Sequence, residues 1–529
     1  MTSSAAETKV EVSSETSRYR RRSPVEMLIR AQREAPGRPL LASEDGRASV
    51  GEFVDLARRC AVDLVELLGV GEGDRVAIVA RNSTHRLAWQ YGAYWIGAVE
   101  VSVNYELKGG MLRHIIEDSD PKVILVDAEI LSDVAEIAGK IPLQVLAAPV
   151  TLGEHVDAPA LDTAEQRLPA GSLATILYTS GTTGPSKGVM LPRGYLANHA
   201  DTFRDMLGIR GGDVGYFVLP FFHVDAHILL PAVIEAGASI YFRDRFSVRA
   251  YWKDITTHGC AWTLAVGSML SAVATAVPPA ASDVRLRCVV CAPVPDEAYE
   301  LFEDRLGIPV ISLYGQTEAD SIAFDSPDVR RRGSAGSPCE AFEVAILDAD
   351  GFRLPSGKVG EICHRPNVPN MTMSGYWKRP DATVSSWRDL WYHTGDLGML
   401  DEDGYLFFKG RMTDSLRYRG ENISAYELES VLREAPGVDD IAAIGIVDAL
   451  GGEDEIKVLV ACSEDASFEA AAFFEFCQKN LPRFAVPRFV EQVSASEFVR
   501  SPGTGVIQKH RLSRSVCGPA VFDRRLVRG

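Results

Sequence analysis

A ten-residue segment from Thr179 to Gly188 carries the residue types that binding of a polyphosphate requires. It reads Thr-Ser-Gly-Thr-Thr-Gly-Pro-Ser-Lys-Gly, so glycines allow close approach, hydroxyls can donate hydrogen bonds to phosphate oxygens, and Lys187 supplies a positive charge. The segment follows an apolar run at residues 173–178 that is typical of a buried strand, and α/β sheets usually bind ligands at strand ends. The lysine does not directly follow a glycine, which departs from the Walker A pattern. We therefore predict a phosphate-binding loop, with a Gly/Ser surface turn as the alternative.

The elements that must position this loop alternate between helical and strand-like patterns. Helical periodicity covers Ser49 to Leu68 and Arg86 to Gly97, and short apolar runs typical of buried strands occupy residues 75–79, 122–126 and 238–242. Such alternation indicates parallel sheets flanked by helices, hence an α/β fold.

Composition indicates a large globular protein. The chain has 529 residues, 46% hydrophobic and 24% charged, which is enough for more than one core and at least two domains. A formal charge of -17 argues against binding of nucleic acid. No apolar run approaches the roughly 20 residues that span a bilayer, so we do not expect an integral membrane protein. The sequence does not indicate an oligomeric state.

The nine cysteines are scattered singly apart from Cys288 and Cys291, which are too few for a four-ligand zinc site. We interpret all nine as reduced thiols in a cytoplasmic protein.

Three domains are expected. Residues 1–22 are rich in Ser, Thr and Glu, contain no apolar segment typical of a signal peptide, and are predicted to form a disordered leader. A boundary is expected near residues 411–414, after the Asp401–Gly404 turn, because a compact stretch of α+β size follows it. The predicted domains are therefore 1–22, 23–411 and 412–529.

Four segments together resemble the acyl-adenylate-forming superfamily, which includes acyl-CoA synthetases, luciferases and peptide-synthetase adenylation domains. They are the nucleotide loop at residues 178–190, Tyr314-Gly-Gln-Thr-Glu318, Tyr392-His-Thr-Gly-Asp396, and Gly410-Arg411 with Gly420-Glu-Asn422. The segments occur in family order and the resemblance spans roughly residues 25–512. It implies a large N-terminal domain of stacked sheets flanked by helices and a small mobile C-terminal α+β domain that rotates about Thr413.

The chemistry that this resemblance implies is attack of a carboxylate on the α-phosphate of ATP, with release of pyrophosphate and formation of an acyl adenylate. Two anions must meet, so catalysis depends on positioning and on neutralisation of charge. Thr317 would contact the α-phosphate, Glu318 would bind Mg²⁺ through a hard oxygen ligand, and Arg411 would hold the ribose and phosphate.

Nucleotide contacts are likewise implied by the resemblance. Asp396 would accept hydrogen bonds from the ribose hydroxyls, and Tyr314 beside Gly315 would stack on adenine. The phosphate loop would be formed by Thr179, Ser180, Gly181, Thr182, Thr183, Gly184 and Lys187, and the other side of adenine would face Cys291, Ala292 and Pro293.

A segment from Leu219 to His227 carries two histidines, His223 and His227, at helical spacing. A zinc site would need further ligands that the segment does not supply. The Phe-His pair resembles the family's aromatic gate between the ATP side and the acyl pocket, which makes His223 the gating candidate and places His227 at the acyl pocket. Residues 222–226 are particularly similar to the crotonobetaine/carnitine-CoA ligase branch, which favours a small or polar acid over a long fatty chain.

The acceptor is expected to be CoA, because Gly420 would let pantetheine pass close to the backbone, although a glycine at a helix entry is the alternative. One departure from the family lies near the end of the chain. Residues 501–509 read Ser-Pro-Gly-Thr-Gly-Val-Ile-Gln-Lys, with Val506 where relatives carry the catalytic lysine. Lys509 matches the family's second lysine.

Three functions follow from this departure. The leading interpretation is an AMP-forming acid-CoA ligase that uses ATP and Mg²⁺. The second is an adenylating enzyme with an unusual acid or a non-CoA acceptor, such as amine acylation or nitrite activation in secondary metabolism. The third is a non-catalytic homologue, although the retained Lys187, Thr317, Glu318 and Asp396 argue against it.

Overall fold

The protein is described by a computed structural model for residues 23–146, 158–179, 185–412, 416–418, 421–423, 425–447, 454–462, 468–499, 507 and 509–527. Its helices, numbered in chain order, are α1 (Pro24–Glu34), α2 (Val50–Glu66), α3 (Thr84–Trp95), α4 (Gly109–Ser119), α5 (Leu131–Ala138), α6 (Ala158–Gln166), α7 (Arg193–Leu207), α8 (Val224–Ala236), α9 (Val248–His258), α10 (Gly267–Ala274), α11 (Asp296–Ala298), α12 (Pro380–Ser386), α13 (Ala425–Leu432) and α14 (Ala470–Asn480).

The strands are given in two groups, those before and those after residue 312. The first group is β1 (Pro39–Ser43), β2 (Gly46–Ser49), β3 (Arg75–Val79), β4 (Val99–Val103), β5 (Val123–Val126), β6 (Leu143–Val145), β7 (Leu173–Thr179), β8 (Lys187–Pro192), β9 (Val214–Phe217), β10 (Ser239–Phe242), β11 (Trp262–Ala265), β12 (Cys288–Cys291) and β13 (Val310–Ile311). The second group is β14 (Leu313–Gln316), β15 (Ala319–Phe324), β16 (Ser337–Pro338), β17 (Phe342–Leu347), β18 (Gly360–Pro366), β19 (Gly375–Tyr376), β20 (Trp387–Arg388), β21 (Trp391–Leu400), β22 (Leu406–Arg411), β23 (Leu416–Tyr418), β24 (Glu421–Ile423), β25 (Val438–Val447), β26 (Asp454–Cys462), β27 (Phe489–Val493) and β28 (Val521–Asp523).

Two seven-stranded sheets form the body of the protein. Their strand orders are β13-β12-β11-β9-β10-β1-β2 and β19-β8-β7-β4-β3-β5-β6, and both are mainly parallel. The largest apolar core combines side chains of α2, α3, α7 and α8 with strands of both sheets, so these helices lie between the sheets. The fully buried strands explain why the sequence shows continuous apolar runs rather than alternation. The predicted α/β class of stacked sheets with helices is confirmed.

Helix boundaries follow from local capping. The helix α2 begins after Ser49, whose side chain accepts from the backbone N–H of Glu52 while the Glu52 carboxylate accepts from the Ser49 N–H. Similarly, Ser83 caps α3 by accepting from the N–H of Arg86. The two helical segments that the sequence predicted are therefore correct within two or three residues at each end.

Smaller sheets complete the molecule. Antiparallel strands β17, β18, β21, β20 and β22 form a five-stranded sheet, and β14, β15 and β16 form a three-stranded one. Near the end of the chain, the order β25-β26-β27-β28 forms a four-stranded sheet whose core also contains side chains of α13 and α14. No helix of the described ranges is long and apolar enough to cross a membrane.

Candidate active site

The phosphate-loop residues begin where β7 ends and finish where β8 starts. Thr179 pairs with Lys187 across these antiparallel strands, so the predicted loop is closed at its base by the sheet. Ser180, Gly181, Thr182, Thr183 and Gly184 lie outside the described residues. The Lys187 ammonium lies 4.5 Å from the centroid of the Tyr376 ring. This cation–π contact places the lysine beside Tyr376, which also donates a hydrogen bond to Glu318.

Glu318 follows β14 and is 9% exposed. Its Oε1 accepts a hydrogen bond of 2.7 Å from the hydroxyl of Tyr376, which itself lies 3.0 Å from the hydroxyl of Tyr392. Burial and the Glu318 charge raise the pKa of Tyr376, which keeps the phenol protonated as a donor. No described residue forms a hydrogen bond with Oε2, which leaves that oxygen able to bind Mg²⁺. The residue therefore fits a metal-binding role, and Tyr376 brings it next to Lys187.

Thr317 is half-buried and fixed through its backbone. The hydroxyl of Tyr195 donates to the Thr317 carbonyl at 3.1 Å and accepts from the N–H of Asp320 at 2.9 Å. Gly315, which lies in β14 two residues before Thr317, has no room for a side chain, because an added Cβ would lie 2.4 Å from the backbone nitrogen of Ser321. The segment 314–318, which is the end of β14 and the turn after it, is thus held on one side by Tyr195 and packed closely on the other.

Asp396 is 2% exposed and lies at the start of the second half of β21. Its Oδ2 accepts from the Tyr314 hydroxyl at 2.7 Å and from Nε2 of Gln316 at 2.8 Å. The Tyr314 ring stacks against Phe408 with centroids 6.1 Å apart. Arg411 pairs with Asp396 across β21 and β22, although its side chain lies outside the described residues.

The predicted adenine-side segment lies at the carboxyl end of β12. Cys291 is fully buried, its Sγ donates to the Pro293 carbonyl at 3.2 Å, and the Ala292–Pro293 peptide is cis. Since β12 pairs in parallel with β13, and Tyr314 follows β13, both sides of the predicted adenine site leave the same edge of the sheet.

The predicted gate lies directly before α8. His223 is half-buried at the helix N-cap, with its ring centroid 4.5 Å from that of Phe222. The preceding backbone is held by Asn82, whose Nδ2 donates to the Leu219 carbonyl at 2.9 Å and whose Oδ1 accepts from the Phe221 N–H at 2.7 Å. The turn that presents His223 is therefore anchored to the loop between β3 and α3.

His227 is 2% exposed and belongs to a buried polar network. Its Nδ1 lies 2.8 Å from both Gln90 Nε2 and the Tyr94 hydroxyl, and Arg86 donates to Gln90 Oε1, which fixes the orientation of that amide. Burial lowers the pKa of His227 to about 4, so the ring is neutral at pH 7. The Nδ1 atom therefore has two polar neighbours, Gln90 and Tyr94.

Comparisons with known proteins agree with this arrangement. The sequence matches the AMP-binding enzyme family over residues 28–377 and the AMP-binding enzyme C-terminal domain over residues 427–501. The chain belongs to the AMP-binding enzymes. It is thus an adenylate-forming ligase of the acyl-CoA synthetase-like family, as the motifs indicated.

Relatives cover most of the chain. Crotonobetaine/carnitine–CoA ligase of Salmonella paratyphi A is 31% identical over 455 residues, which is 81% of this chain and 86% of the relative. A double mutant of o-succinylbenzoate CoA synthetase from Bacillus subtilis, bound with a product analogue, has a TM-score of 0.80 at 25% identity and covers 92% of this chain and 98% of its own. Amide bond synthetase McbA from Marinactinospora thermotolerans, with a TM-score of 0.78, 24% identity, and coverage of 92% and 98%, supports the fold alone.

The C-terminal part of this AMP-binding enzyme contacts the phosphate loop. The backbone N–H of Ser186 donates to Oε1 of Glu427 at 2.6 Å, and Glu427 belongs to α13. Lys509 forms an ion pair of 2.6 Å with Glu429 of the same helix. Thr413, Gly420 and Val506 lie outside the described residues, so their predicted roles stay predictions.

Sequence reasoning missed several residues of the site. Tyr376 and Tyr392 contact Glu318 or each other, and Gln316 and Phe408 contact the residues around Asp396. Gln316 and Tyr392 belong to the quoted segments 314–318 and 392–396, but no role was predicted for either residue. Tyr376 reaches the site because β19 pairs with β8, a pairing that no local pattern reveals.

Proposed function

We propose that this AMP-binding enzyme activates a small or polar carboxylic acid with ATP and Mg²⁺ as an acyl adenylate and then transfers the acyl group to CoA. The observation that carries the proposal is that one short segment, residues 314–318 at the end of β14 and in the turn after it, carries side chains towards both expected ends of a nucleotide. Tyr314 donates to Asp396 on the expected ribose side, and Glu318 on the expected phosphate side accepts from Tyr376, whose ring lies against the Lys187 ammonium.

In the first half-reaction a carboxylate oxygen of the acid bonds to the α-phosphorus, the bond to the β-phosphate oxygen breaks, and pyrophosphate leaves. Lys187 and the loop from Thr179 to Gly184 would hold the outgoing phosphates, and Thr317 would contact the α-phosphate. Mg²⁺ at Glu318, when bound, supplies further neutralisation of the negative charge. Asp396 and Tyr314 fix the nucleoside, with Arg411 and the segment Cys291–Pro293 completing the expected contacts.

In the second half-reaction the CoA thiol loses its proton to solvent, its sulfur bonds to the acyl carbon, the acyl–phosphate bond breaks, and AMP leaves. We propose that residues 412–529 form the mobile domain that rotates about Thr413 and brings Gly420 to the pantetheine. His223 would separate the nucleotide from the acyl pocket. Relatives that are 31% identical are named for activity on crotonobetaine and carnitine, which supports a small polar acid. We also propose a cytoplasmic location, since all nine cysteines are free of disulfide bonds.

Val506 favours a second candidate function. A lysine at this position would provide one positive charge in the transition state, and loss of one such contact typically costs roughly 10² to 10³ in rate. The second candidate is therefore an adenylating enzyme whose acid or acceptor differs from the usual pair, such as nitrite or an amine.

The deciding experiment measures AMP and pyrophosphate release from ATP and Mg²⁺ across short carboxylic acids and nitrite, with and without CoA. We expect release that depends on both acid and CoA in the wild type, and a faster first half-reaction in Val506→Lys. AMP release that needs nitrite or an amine would support the second candidate. Absence of acid-dependent AMP from both proteins would refute the ligase, whereas activity only in Val506→Lys would identify a non-catalytic homologue.

A further inference from the structure

Three metal-ligating side chains converge on one face of the five-stranded sheet, outside the residues assigned to the nucleotide. Cys363 on β18 lies directly opposite His393 on β21, and Glu361 lies two residues before Cys363 on the same face of its strand. The His393 Nδ1 is 2.7 Å from Glu361 Oε2 and 3.4 Å from Cys363 Sγ. All three ligand atoms lie within 4.8 Å of one another.

The contacts at the His393 ring nitrogen are mutually incompatible. Arg388 Nη2 lies 2.6 Å from Nδ1, on which the Glu361 carboxylate also converges. A protonated Nδ1 would donate to Glu361 but face the N–H of Arg388. An unprotonated Nδ1 would accept from Arg388 but face a carboxylate lone pair, and only the longer ion pair of 3.4 Å between Arg388 Nη2 and Glu361 Oε2 offsets that repulsion. A cation between the three ligand atoms removes the conflict, because the imidazole, carboxylate and sulfur can then all act as electron-pair donors.

The cluster is also largely shielded from water. Cys363 is fully buried, and the side chains of His393 and Glu361 are 8% and 11% exposed. The side chain of Arg388 is 57% exposed, so it can leave without disturbing the core. The guanidinium thus occupies, from the solvent side, the position that a bound ion would take.

The ligand set and spacing indicate which ion. A borderline-soft divalent ion such as Zn²⁺ is bound tetrahedrally by sulfur, imidazole and carboxylate, whereas Mg²⁺ prefers oxygen ligands. Usual zinc bond lengths place tetrahedral S and N ligands roughly 3.5 Å apart and N and O ligands roughly 3.4 Å apart. The Sγ–Nδ1 separation of 3.4 Å already fits, and the Nδ1–Oε2 separation of 2.7 Å must widen by about 0.7 Å.

We propose that Glu361, Cys363 and His393 form a binding site for Zn²⁺ that is separate from the Mg²⁺ site expected at Glu318. On binding, Arg388 swings into solvent and a water molecule takes the fourth position. The Cys363 S–H bond breaks, the sulfur–metal bond forms, and one proton passes to solvent.

This site is mechanically linked to the nucleotide side. In β21 an irregularity at residues 394–396 bulges out opposite Ile362. The Gly395 N–H donates to Glu361 Oε1 at 3.0 Å, and the Thr394 hydroxyl donates to the Ile362 carbonyl at 2.7 Å. Asp396 is the next residue of β21 after Gly395. Glu361 is therefore joined by a hydrogen bond to the part of β21 that carries Asp396.

The test uses cobalt as a spectroscopic probe on the full-length protein, in buffer with excess Mg²⁺ so that oxygen-only sites are filled. We expect Co²⁺ to produce thiolate-to-cobalt charge-transfer absorption that stoichiometric Zn²⁺ abolishes. Cys363→Ser should lose this band, and His393→Asn should weaken cobalt binding by roughly tenfold or more. Cys339→Ser, which removes another buried cysteine, is the matched control and should keep the band.

A variant at a residue that is not a proposed ligand tests the site without the risk that loss of cobalt binding only reflects misfolding. Arg388→Ala removes the exposed side chain that competes with the ion, so it should bind cobalt more tightly than the wild type. No charge-transfer band in the wild type and Arg388→Ala, or a band that survives Cys363→Ser, would overturn the proposal. Because the readout is metal binding, a negative result leaves the proposed ligase activity untouched, and a failure of the activity leaves this site standing.

Discussion

Glu318 is the residue with the most direct predicted contact with Mg²⁺. Its carboxylate is held by a single phenol at one oxygen, and the backbone carbonyl of Glu318 accepts from the Met373 N–H at 2.8 Å independently of the side chain. The fold around Glu318 therefore does not need the carboxylate.

Glu318→Ala should consequently keep its fold and lose Mg²⁺-dependent turnover by roughly 10² or more. The measurement is AMP release against Mg²⁺ concentration, with circular dichroism as the check of folding. The control is Glu402→Ala, an exposed acid in the turn between β21 and β22 that should leave turnover unchanged. Unaltered activity in Glu318→Ala would show that the motif does not carry the metal.

A second residue-scale prediction concerns pH and His364, which is 2% exposed and packs edge-on against Phe342 and at a tilt against Tyr392. Burial lowers the pKa of His364 from 6.5 to about 3. Between pH 6.5 and about 3, His364 is protonated in the unfolded chain and neutral in the folded chain. The free energy of unfolding therefore decreases as the pH falls from 6.5 towards 3.

His364→Phe should remove this loss. Relative to the variant, the wild-type free energy of unfolding should fall by up to about 1.4 kcal/mol for each pH unit below the unfolded pKa. Urea denaturation of both proteins at pH values on either side of 6.5 measures the difference. Parallel pH profiles would mean that His364 titrates normally in the folded protein.

At the scale of elements, the gate turn depends on the loop between β3 and α3. Asn82 is 5% exposed and its side chain makes three hydrogen bonds to backbone atoms of Leu219, Phe221 and Arg243. Because these partners are buried or half-buried, removal of the amide leaves them without compensation from water.

Asn82→Ala should lower the free energy of unfolding by roughly 1–3 kcal/mol and raise the KM for the acid more than the KM for ATP, since the displaced turn carries His223. Thermal denaturation and steady-state kinetics measure the two effects. Asn367→Ala removes one exposed hydrogen bond to the Glu340 carbonyl and serves as the control. Equal changes in both KM values would indicate a general loss of structure.

At the scale of the whole molecule, the C-terminal sheet is not independent of the N-terminal part. Met111 of α4 contributes to the apolar core that α13 and α14 share with their sheet. Next to this contact, the Glu427 carboxylate accepts from the Ser186 N–H, beside the expected position of the ATP phosphates. A carboxylate in this position repels a polyphosphate.

Glu427→Gln should therefore lower the KM for ATP severalfold, because it removes this negative charge while preserving the side-chain shape. ATP-dependent pyrophosphate release at saturating acid is the measurement. Glu434→Gln changes the net charge identically at an exposed position of the same domain and should leave the KM unchanged. Equal effects in the two variants would attribute the change to net charge alone.

The sequence alone determined the fold class and the nature of the candidate site. Continuous apolar runs such as residues 75–79 and 173–178 lie in inner strands that pair on both edges. Such runs identify strands from sequence alone because both faces of the sheet are buried. The candidate residues at positions 314–318 were likewise readable, because Tyr314-Gly-Gln-Thr-Glu318 resembles a motif of the acyl-adenylate-forming superfamily.

Only the tertiary structure decided which distant side chains meet those motifs. Tyr376 reaches Glu318 through the pairing of β19 with β8, and Cys363 meets His393 through the register of β18 and β21. No motif of the sequence singled out Glu361, yet its side chain is 11% exposed, lies 2.7 Å from Nδ1 of His393 and accepts a hydrogen bond from the Gly395 N–H. Strand pairing joins residues far apart in the chain, and its register is set by packing of whole sheets rather than by any local pattern.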